Sequence, residues 1–262
     1  MTRIIVCGCF GRLGSAICKL AGQSGEAEIA AGVNETPLTG GGSYIIDFPI
    51  FNEIGECNVP ADVVIVCLSP HEIQAVLATA RYCVEKRIPM ILCTTALPDD
   101  VTEEIKKASE KIPVLVSANL SLGINLLSHL LEKAAKLLYD AGFDIEIIER
   151  HHNQKLDAPS GTAYVLAEAA NQALGGGMKY VNDRSPRKAK RDRDEIGLHA
   201  LRGGTITGEH TVVFSGHDEV IELTHAAYSR EVFAVGALKA ARFIQAKPAG
   251  LYTMRDLIDN IG

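Results

Sequence analysis

The segment 149–163, ERHHNQKLDAPSGTA, concentrates side chains that can move a proton or bind an anion. His151 and His152 are adjacent imidazoles, and Lys155 supplies an ammonium one turn later. Because an imidazole titrates near neutral pH and its pKa moves readily with its surroundings, these residues are candidate proton donors. One histidine alone is most often structural, but burying such a cluster without a function would cost a great deal of desolvation energy. The cluster therefore predicts proton-transfer chemistry.

The same segment ends in a signal for the start of a helix. Pro159 fixes a turn, Ser160 and Thr162 carry hydroxyls that can cap a helix, and Gly161 allows close approach to the backbone. We expect a helix over 161–174, whose free amides and positive dipole end would face a carboxylate. The segment as a whole predicts a site that binds an anionic substrate and transfers a proton to it.

A second candidate site is the glycine loop GCFGRLG of residues 8–14. It follows a predicted strand and opens an amphipathic helix, which favours a dinucleotide site with the pyrophosphate at the helix start. About 20 residues beyond the last glycine, such sites use a carboxylate to bind the ribose hydroxyls. Asn34 stands there, with Glu35 next to it. Asn34 would not repel a 2′-phosphate, whereas an inward Glu35 would favour NADH, so the choice between NADH and NADPH stays open.

Composition limits the class of protein. The 262 residues are 47% hydrophobic and 22% charged, which fits a globular chain with two domains. The net charge of −6 argues against nucleic acid as a partner. No apolar run reaches the roughly 18 residues that span a bilayer, and the start MTRIIVCGCF enters a strand directly, so we expect a cytoplasmic protein without membrane contact.

The cysteines and the basic loop have structural interpretations. All seven cysteines lie within the first 93 residues without a Cys-x-x-Cys pair, which favours reduced, buried thiols. Cys7 and Cys9 alone do not make a zinc site, so no metal is predicted. The arginines and lysines of 184–193 are interleaved with acids, which favours a solvated loop with internal ion pairs over an anion or partner site.

The order of elements predicts an α/β protein with two domains. Predicted strands at 3–7, 28–33, 62–68, 90–93 and 114–117 alternate with helices at 11–24, 71–86 and 98–109, as in a parallel sheet with crossover helices. A helix over 123–138, the strand 143–150 and strands at 197–202, 207–215 and 220–226 then predict an open, largely antiparallel sheet. The end of the chain, from about Val232, is helical and is expected to return to the first domain. The TGGGS of 39–43 is expected to be a flexible loop.

The chain resembles the 4-hydroxy-tetrahydrodipicolinate reductase family over essentially its full length. ERHHNQKLDAPSGTA is the most specific match, and RGGTITGEHTVVFSG and ELTHAAYSREVFAVGA fit as well. The resemblance implies a Rossmann-type, doubly wound parallel sheet in a dinucleotide-binding domain of residues 1–121 and 231–262. It also implies a second α+β domain, 122–230, whose open mixed sheet binds substrate and builds a homotetramer.

The resemblance also implies an activity, the reduction of a small dicarboxylate, 4-hydroxy-tetrahydrodipicolinate, by NADH or NADPH in lysine biosynthesis through diaminopimelate. His151 would be the proton donor and acceptor and Lys155 a proton donor, and the substrate would contact His152, Ser160, Gly161 and Thr162. The expected cofactor contacts are Gly8, Cys9, Phe10, Gly11, Arg12, Leu13, Asn34, Glu35, Cys93, Thr94, Thr95, Ser117, Ala118, Asn119 and Leu120. Arg230, in YSRE, is a further candidate ligand for a carboxylate, with a structural ion pair as the alternative.

The departures from the family pattern lie almost entirely in the cofactor domain. Cys93-Thr94-Thr95-Ala96 replaces the usual Gly-Thr-Thr-Gly, and Cys67-Leu68-Ser69 replaces the usual Asp-Phe-Thr ahead of a proline. Asn34 replaces the usual acid. These changes bear on the affinity for the cofactor and on its choice, and leave the substrate chemistry intact.

The residues support this chemistry independently of the resemblance. Hydride transfer to a conjugated cyclic imine needs a cation over the developing charge and an acid to complete the reduction, roles that Lys155 and His151 can take. Asp157 is expected to have a structural role. A different nicotinamide-dependent reductase would not need this cluster, and a non-catalytic redox-sensing binder could lose the proton donors. Because both donors and the Ser160-Gly161-Thr162 turn are present, the enzyme is favoured.

Overall fold

The computed structural model describes residues 1–35, 47–94 and 97–260. The chain forms two compact units, one made of Met1–Leu122 with Arg230–Gly262 and the other of Gly123–Ser229. The loop predicted at 39–43 and the candidate cofactor residue Thr95 lie outside the described residues.

The strands are β1 (Thr2–Cys7), β2 (Ala27–Val33), β3 (Ile50–Phe51), β4 (Val63–Val66), β5 (Met90–Leu92), β6 (Pro113–Val116), β7 (Asp144–His151), β8 (Lys179–Val181), β9 (Glu195–Arg202), β10 (Gly208–Ser215), β11 (Val220–Ala227) and β12 (Gly250–Tyr252). The helices are α1 (Arg12–Ser24), α2 (Ile73–Lys86), α3 (Asp99–Ser109), α4 (Leu122–Asp140), α5 (Gly161–Ala173), α6 (Glu231–Ile244) and α7 (Met254–Asp259), with a 3₁₀ helix at Ile54–Glu56. Of the described helices, none is long and apolar enough to cross a membrane.

The first unit contains a seven-stranded sheet in the order β3-β2-β1-β4-β5-β6-β12, and all its neighbours are parallel. Ile4 and Val6 of β1 pack in the cluster that includes α1 and α6, whereas Ile5 packs with α2 and α3. Both faces of the sheet are therefore covered, which explains why the central strands are continuous apolar runs. The prediction of a Rossmann-type, doubly wound sheet is confirmed. The strand order reverses at β1, so the ends of β1 and β4 flank the point where such sheets bind ligands.

The second unit contains a five-stranded sheet in the order β11-β10-β7-β9-β8. β10 is antiparallel to β7 and β11, whereas β9 is parallel to β7 and β8. The expected mixed sheet is confirmed, but the expectation that it is largely antiparallel is wrong, because two of its four neighbouring pairs are parallel. The reason is α5, which crosses over between β7 and β8 and returns the chain to the same end of the sheet.

One face of this second sheet carries the core of the unit. Ile145 and Ile147 of β7 and Phe214 of β10 pack against Leu131 of α4 and Leu166 of α5. Since side chains alternate along a strand, Glu149 and His151 continue the face of Ile145 and Ile147 toward the end of β7. The core therefore ends where the candidate proton donors begin.

Candidate active site

Glu149 and His151 form the centre of the site in the second unit. They are two positions apart on β7, so their side chains share a face of the sheet. Nδ1 of His151 lies 2.6 Å from Oε2 of Glu149, whose side chain is completely buried. The imidazole therefore has a fixed partner on one nitrogen.

Glu149 is held by three further hydrogen bonds. Arg202 of β9, which pairs with His151 in the sheet, donates from Nη1 and Nη2 to the two carboxylate oxygens, each at 2.7 Å. The backbone N–H of Ser160 donates to Oε1 at 3.0 Å. Burial alone would raise the pKa of Glu149, but the hydrogen bonds from Arg202 and His151 outweigh it and hold this pKa below its usual value. Glu149 is thus a fixed negative charge beside the imidazole.

This arrangement determines what His151 can do. With Nδ1–H donated to the carboxylate, Nε2 is the nitrogen that remains for proton exchange. Nε2 faces the backbone of Gly208, where a Cβ would lie only 3.0 Å from it, so glycine leaves room beside the ring. Burial lowers the pKa of His151 below its usual value, although the hydrogen bond with Glu149 opposes the shift. Binding of an anion nearby would raise this pKa and favour the protonated ring.

His210 of β10 supports His151 from the neighbouring strand. The two rings meet edge to face with centroids 5.2 Å apart. Nε2 of His210 lies 2.9 Å from Oγ of Ser160, and the same Oγ accepts the N–H of Ala163 at 3.2 Å. Burial and the neighbouring His151 lower the pKa of His210 to about 4, so this ring is neutral at pH 7. Ser160 is buried, and both the cap of α5 and His210 use its hydroxyl.

The other predicted residues of the segment surround the start of α5. Nζ of Lys155 is half-buried and lies 2.7 and 2.8 Å from the two oxygens of Asp157. Asp157 thus orients Lys155. His152 is half-buried, and Gly161 and Thr162 form the first turn of α5, with Gly161 exposed. The structure therefore brings the predicted residues of 151–162 together at one end of the sheet.

Arg230, the further candidate ligand for a carboxylate, is exposed at the start of α6 and belongs to the first unit. Its role with the substrate stays a prediction.

Sequence reasoning missed Glu149, Arg202 and His210 as members of the site. Glu149 had a signal, because its two-residue spacing from His151 on a strand places both on one face. No sequence signal indicated Arg202 or His210, since β9 and β10 bring them to His151 only through sheet pairing.

The glycine loop in the first unit fits a dinucleotide phosphate. Gly8 has a φ of +79°, a conformation that favours glycine. A Cβ on Gly14 would collide with the carbonyl oxygen of Gly8, so the loop and α1 can pack this closely only with glycine there. Gly11 precedes α1, and within the described chain no side chain caps this helix start. The first turn of α1 thus leaves backbone amides for an anion.

Other predicted cofactor residues, like the glycine loop, follow the carboxyl ends of strands in the first sheet. Oδ1 of Asn34 accepts the N–H of Phe10 at 3.4 Å, so Asn34 braces the glycine loop. Glu35 is exposed, and both residues line a cleft of about 1020 Å³. Thr94 is buried, and its hydroxyl donates to the carbonyl of Leu68 at 2.9 Å.

Other predicted contacts follow β6 or flank α1. Oγ of Ser117 donates to the carbonyl of Asn119 at 2.7 Å, which makes a tight turn over 117–120. Ala118 is exposed and Leu120 is buried. In the glycine loop, Cys9 is buried, Phe10 and Leu13 are half-buried, and Arg12 is exposed.

Comparisons with known proteins cover both units. The model of the N-terminus of dihydrodipicolinate reductase matches residues 2–120, and that of the C-terminus matches residues 123–258. A 4-hydroxy-tetrahydrodipicolinate reductase from Caldanaerobacter subterraneus subsp. tengcongensis is 46% identical over 258 residues, which is 98% of each chain. The protein of the same name from Clostridium tetani is 42% identical over 260 residues, covering 99% of this chain and 98% of the relative.

A solved structure agrees in fold. It is described as dipicolinate-bound dihydrodipicolinate reductase from Paenisporosarcina sp. TG-14, and it matches with a TM-score of 0.80 at 22% identity, covering 97% of each chain. The two family models together span nearly the whole sequence, and the relatives share more than two fifths of their residues with it. The chain therefore belongs to the dihydrodipicolinate (4-hydroxy-tetrahydrodipicolinate) reductase family.

Proposed function

We propose that this chain reduces 4-hydroxy-tetrahydrodipicolinate to tetrahydrodipicolinate with hydride from NADH or NADPH, in lysine biosynthesis through diaminopimelate. Family membership supports the reaction. The observation that carries the proposal is the Glu149–His151 pair, which fixes one imidazole nitrogen and leaves Nε2 for proton transfer beside the start of α5.

The chain's own residues bind the substrate and supply its proton. The backbone amides at the start of α5, together with His152 and Thr162, bind the substrate carboxylates, since a helix N-terminus favours negative charge. Lys155 places a cation over the negative charge that develops on the ring and can supply a proton to it. His151, protonated on Nε2 while Glu149 holds Nδ1, donates the proton that completes the reduction. The relative described as dipicolinate-bound supports a site for a planar dicarboxylate.

The first unit is a Rossmann-type domain for NADH or NADPH. Once bound, the nicotinamide supplies the hydride. The loop Gly8–Leu13 would hold the pyrophosphate, and Asn34 and Glu35 would lie at the ribose. Cys93, Thr94 and the turn 117–120 would line the end of the site nearer the nicotinamide.

We also propose that the enzyme is a homotetramer built on the second sheet. The face opposite α4 and α5 carries half-buried Ile148 and Val213, together with Leu201 and Val220, which are 53% and 60% exposed. Apolar side chains on an open sheet face favour association. Sedimentation equilibrium should give four times the mass of one chain, and a monomer at micromolar concentration would contradict the assembly.

We place the enzyme in the cytoplasm. All seven cysteines are thiols rather than disulfides, which suits a reducing compartment.

A coupled assay tests the reaction. The substrate is made in situ by the preceding synthase, and the oxidation of NADH and of NADPH is followed separately by absorbance. Oxidation that depends on the synthase is expected with at least one nucleotide. Omitting the synthase is the control, and no synthase-dependent oxidation of either nucleotide would refute the function.

A further inference from the structure

Cys67 and Cys93 lie side by side, just beyond the carboxyl ends of β4 and β5. Val66 of β4 pairs with Leu92 of β5, and the N–H of Cys93 donates to the carbonyl of Val66 at 2.9 Å, so each cysteine is the next residue beyond a paired position. Neighbouring strands lie about 4.8 Å apart. A disulfide needs Cα atoms roughly 4.4–6.8 Å apart. The backbone therefore places these two cysteines within disulfide range.

The two thiols are also in contact. A hydrogen bond with Cys93, together with burial, raises the pKa of Cys67 well above its usual value. Cys67 and Cys93 are half-buried, whereas the other five cysteines are buried. These two are therefore the thiols that a small oxidant in solution can reach most readily.

The surroundings hold the pair in place beside the glycine loop. Thr94, the residue after Cys93, donates a hydrogen bond from its hydroxyl to the carbonyl of Leu68, the residue after Cys67. The N–H of Cys67 donates to the carbonyl of Cys7 at 2.8 Å. A Cβ on Gly8 would lie 2.7 Å from the carbonyl oxygen of Cys67. A change in the backbone at Cys67 would therefore shift the start of the glycine loop, which would hold the nucleotide.

Two thiols alone do not make a metal centre, which needs three or four ligands. In the parts of the chain that the structure describes, no group of three histidine, cysteine, aspartate or glutamate side chains could hold a metal ion. The chemistry left to two adjacent thiols is the formation of a disulfide.

We propose that Cys67 and Cys93 are a reversible disulfide site that weakens nucleotide binding when it is oxidised. One S–S bond forms and two S–H bonds break, and two electrons and two protons pass to a low-molecular-weight disulfide, which leaves as two thiols. The new bond removes both S–H groups and fixes the two side chains to each other at the ends of β4 and β5, beside Gly8. The effect on binding rests on the proposed function, whereas the disulfide itself does not.

Mass spectrometry tests the disulfide. The wild-type protein is treated with oxidised glutathione, its remaining thiols are blocked, and trypsin then releases Cys67 in peptide 20–81 and Cys93 in peptide 88–106. We expect these peptides to be joined, with fragmentation assigning the bond to Cys67 rather than to Cys57. The link should disappear in Cys67→Ser and in Cys93→Ser and persist in the control Cys18→Ser. Separate glutathione adducts, or a bond to Cys9 or Cys57, would overturn the site, and wild-type protein alone suffices for that result.

Nucleotide titration tests the consequence. NADH and NADPH are titrated by fluorescence into reduced protein, oxidised protein and oxidised protein treated again with dithiothreitol. We expect at least about fivefold weaker binding after oxidation and full recovery after reduction, a coupling of ordinary size. Cys93→Ser should bind equally before and after treatment with oxidant. Equal affinity of reduced and oxidised wild-type protein would overturn the regulatory effect, whereas reduced protein that binds neither nucleotide would instead overturn the proposed function.

Discussion

The proton chemistry proposed for the second unit depends on Glu149, a residue that is not expected to contact the substrate. The two carboxylate oxygens of Glu149 are hydrogen-bonded to Arg202, Ser160 and His151, so its negative charge has a fixed position before a ligand binds. Such a carboxylate selects the tautomer of the imidazole and stabilises its protonated form. We therefore regard Glu149 as a positioning residue for His151.

Replacing Glu149 by glutamine should show this role. The amide keeps the shape but removes the charge that favours the imidazolium, so the pKa of His151 should fall further. Because the role proposed for His151 is that of an acid, activity should be lost as the pH rises through its pKa, and the alkaline loss of kcat/KM should move to lower pH. We also expect kcat to fall by roughly 10²-fold. The control is Glu209→Gln, which removes a carboxylate paired with exposed Arg150. An alkaline limb at the wild-type position would leave Glu149 a purely structural role.

The proton donors themselves should be needed for turnover and not for nucleotide binding. His151→Gln and Lys155→Ala should each lower kcat by roughly 10²-fold or more, because each removes a group that acts in the transition state. The affinity for NADH should stay at the wild-type value, since the glycine loop belongs to the first unit. Near-normal kcat in either folded variant, judged by circular dichroism, would exclude that residue from the mechanism.

At the scale of elements, the sequence predicted what local patterns encode. The buried runs of β1, β4 and β5 and the glycine loop are local signals, and the order of strands and helices implied the parallel sheet. β3, β8 and β12 are two or three residues long, too short for a periodic pattern, so the end of the chain was expected to be helical throughout when β12 in fact lies between α6 and α7. The parallel pairing of β7 with β9 joins residues about 50 positions apart and left no local trace.

The same distinction separates the predicted from the missed residues of the site. His151, Lys155 and Ser160 lie in one continuous segment, so their spacing was visible in the sequence. The arginine-rich loop shows both cases. The predicted internal ion pairs are confirmed, since Arg187 binds Asp192 and Glu195. Arg184 and Arg191 also bind Glu146 of β7, for which the local sequence carried no signal. The loop is thus fastened to the sheet, which only the tertiary structure reveals.

The ion pair between Arg187 of this loop and Glu195 of β9 predicts that acid lowers the stability of the fold. Hydrogen bonds from Arg187 lower the pKa of Glu195 to about 2. A carboxylate with a lowered pKa in the folded state stabilises the fold above its unfolded pKa, near 4.3, and loses that contribution as the pH falls toward the folded value. The free energy of unfolding in urea should therefore fall between about pH 4.5 and 2, and Glu195→Gln should be less stable at pH 7 and flatter over this window. The control Glu85→Gln changes an exposed carboxylate and should follow the wild-type curve. Parallel curves for Glu195→Gln and wild type would contradict this role.

At the scale of the whole molecule, the reaction needs both units at once. The glycine loop belongs to the first unit and His151 and Lys155 to the second. Hydride and proton must nevertheless reach the same substrate molecule. We therefore expect a nucleotide and a dicarboxylate to bind at the same time, and the binding of one to strengthen that of the other.

Pyridine-2,6-dicarboxylate, a stable planar analogue, measures this interdependence by calorimetric titration. We expect competitive inhibition against the substrate, and roughly fivefold or tighter binding of the analogue when NADH is already bound, within the ordinary range of coupling between ligands. ADP-ribose is the matched control, because it fills the nucleotide loop without a nicotinamide ring and should give little gain. Lys155→Ala should weaken the analogue in every titration, since it removes a cation expected beside the anionic ligand. Equal affinity with and without NADH would contradict the coupling, and no binding in either titration would contradict the dicarboxylate site at the start of α5.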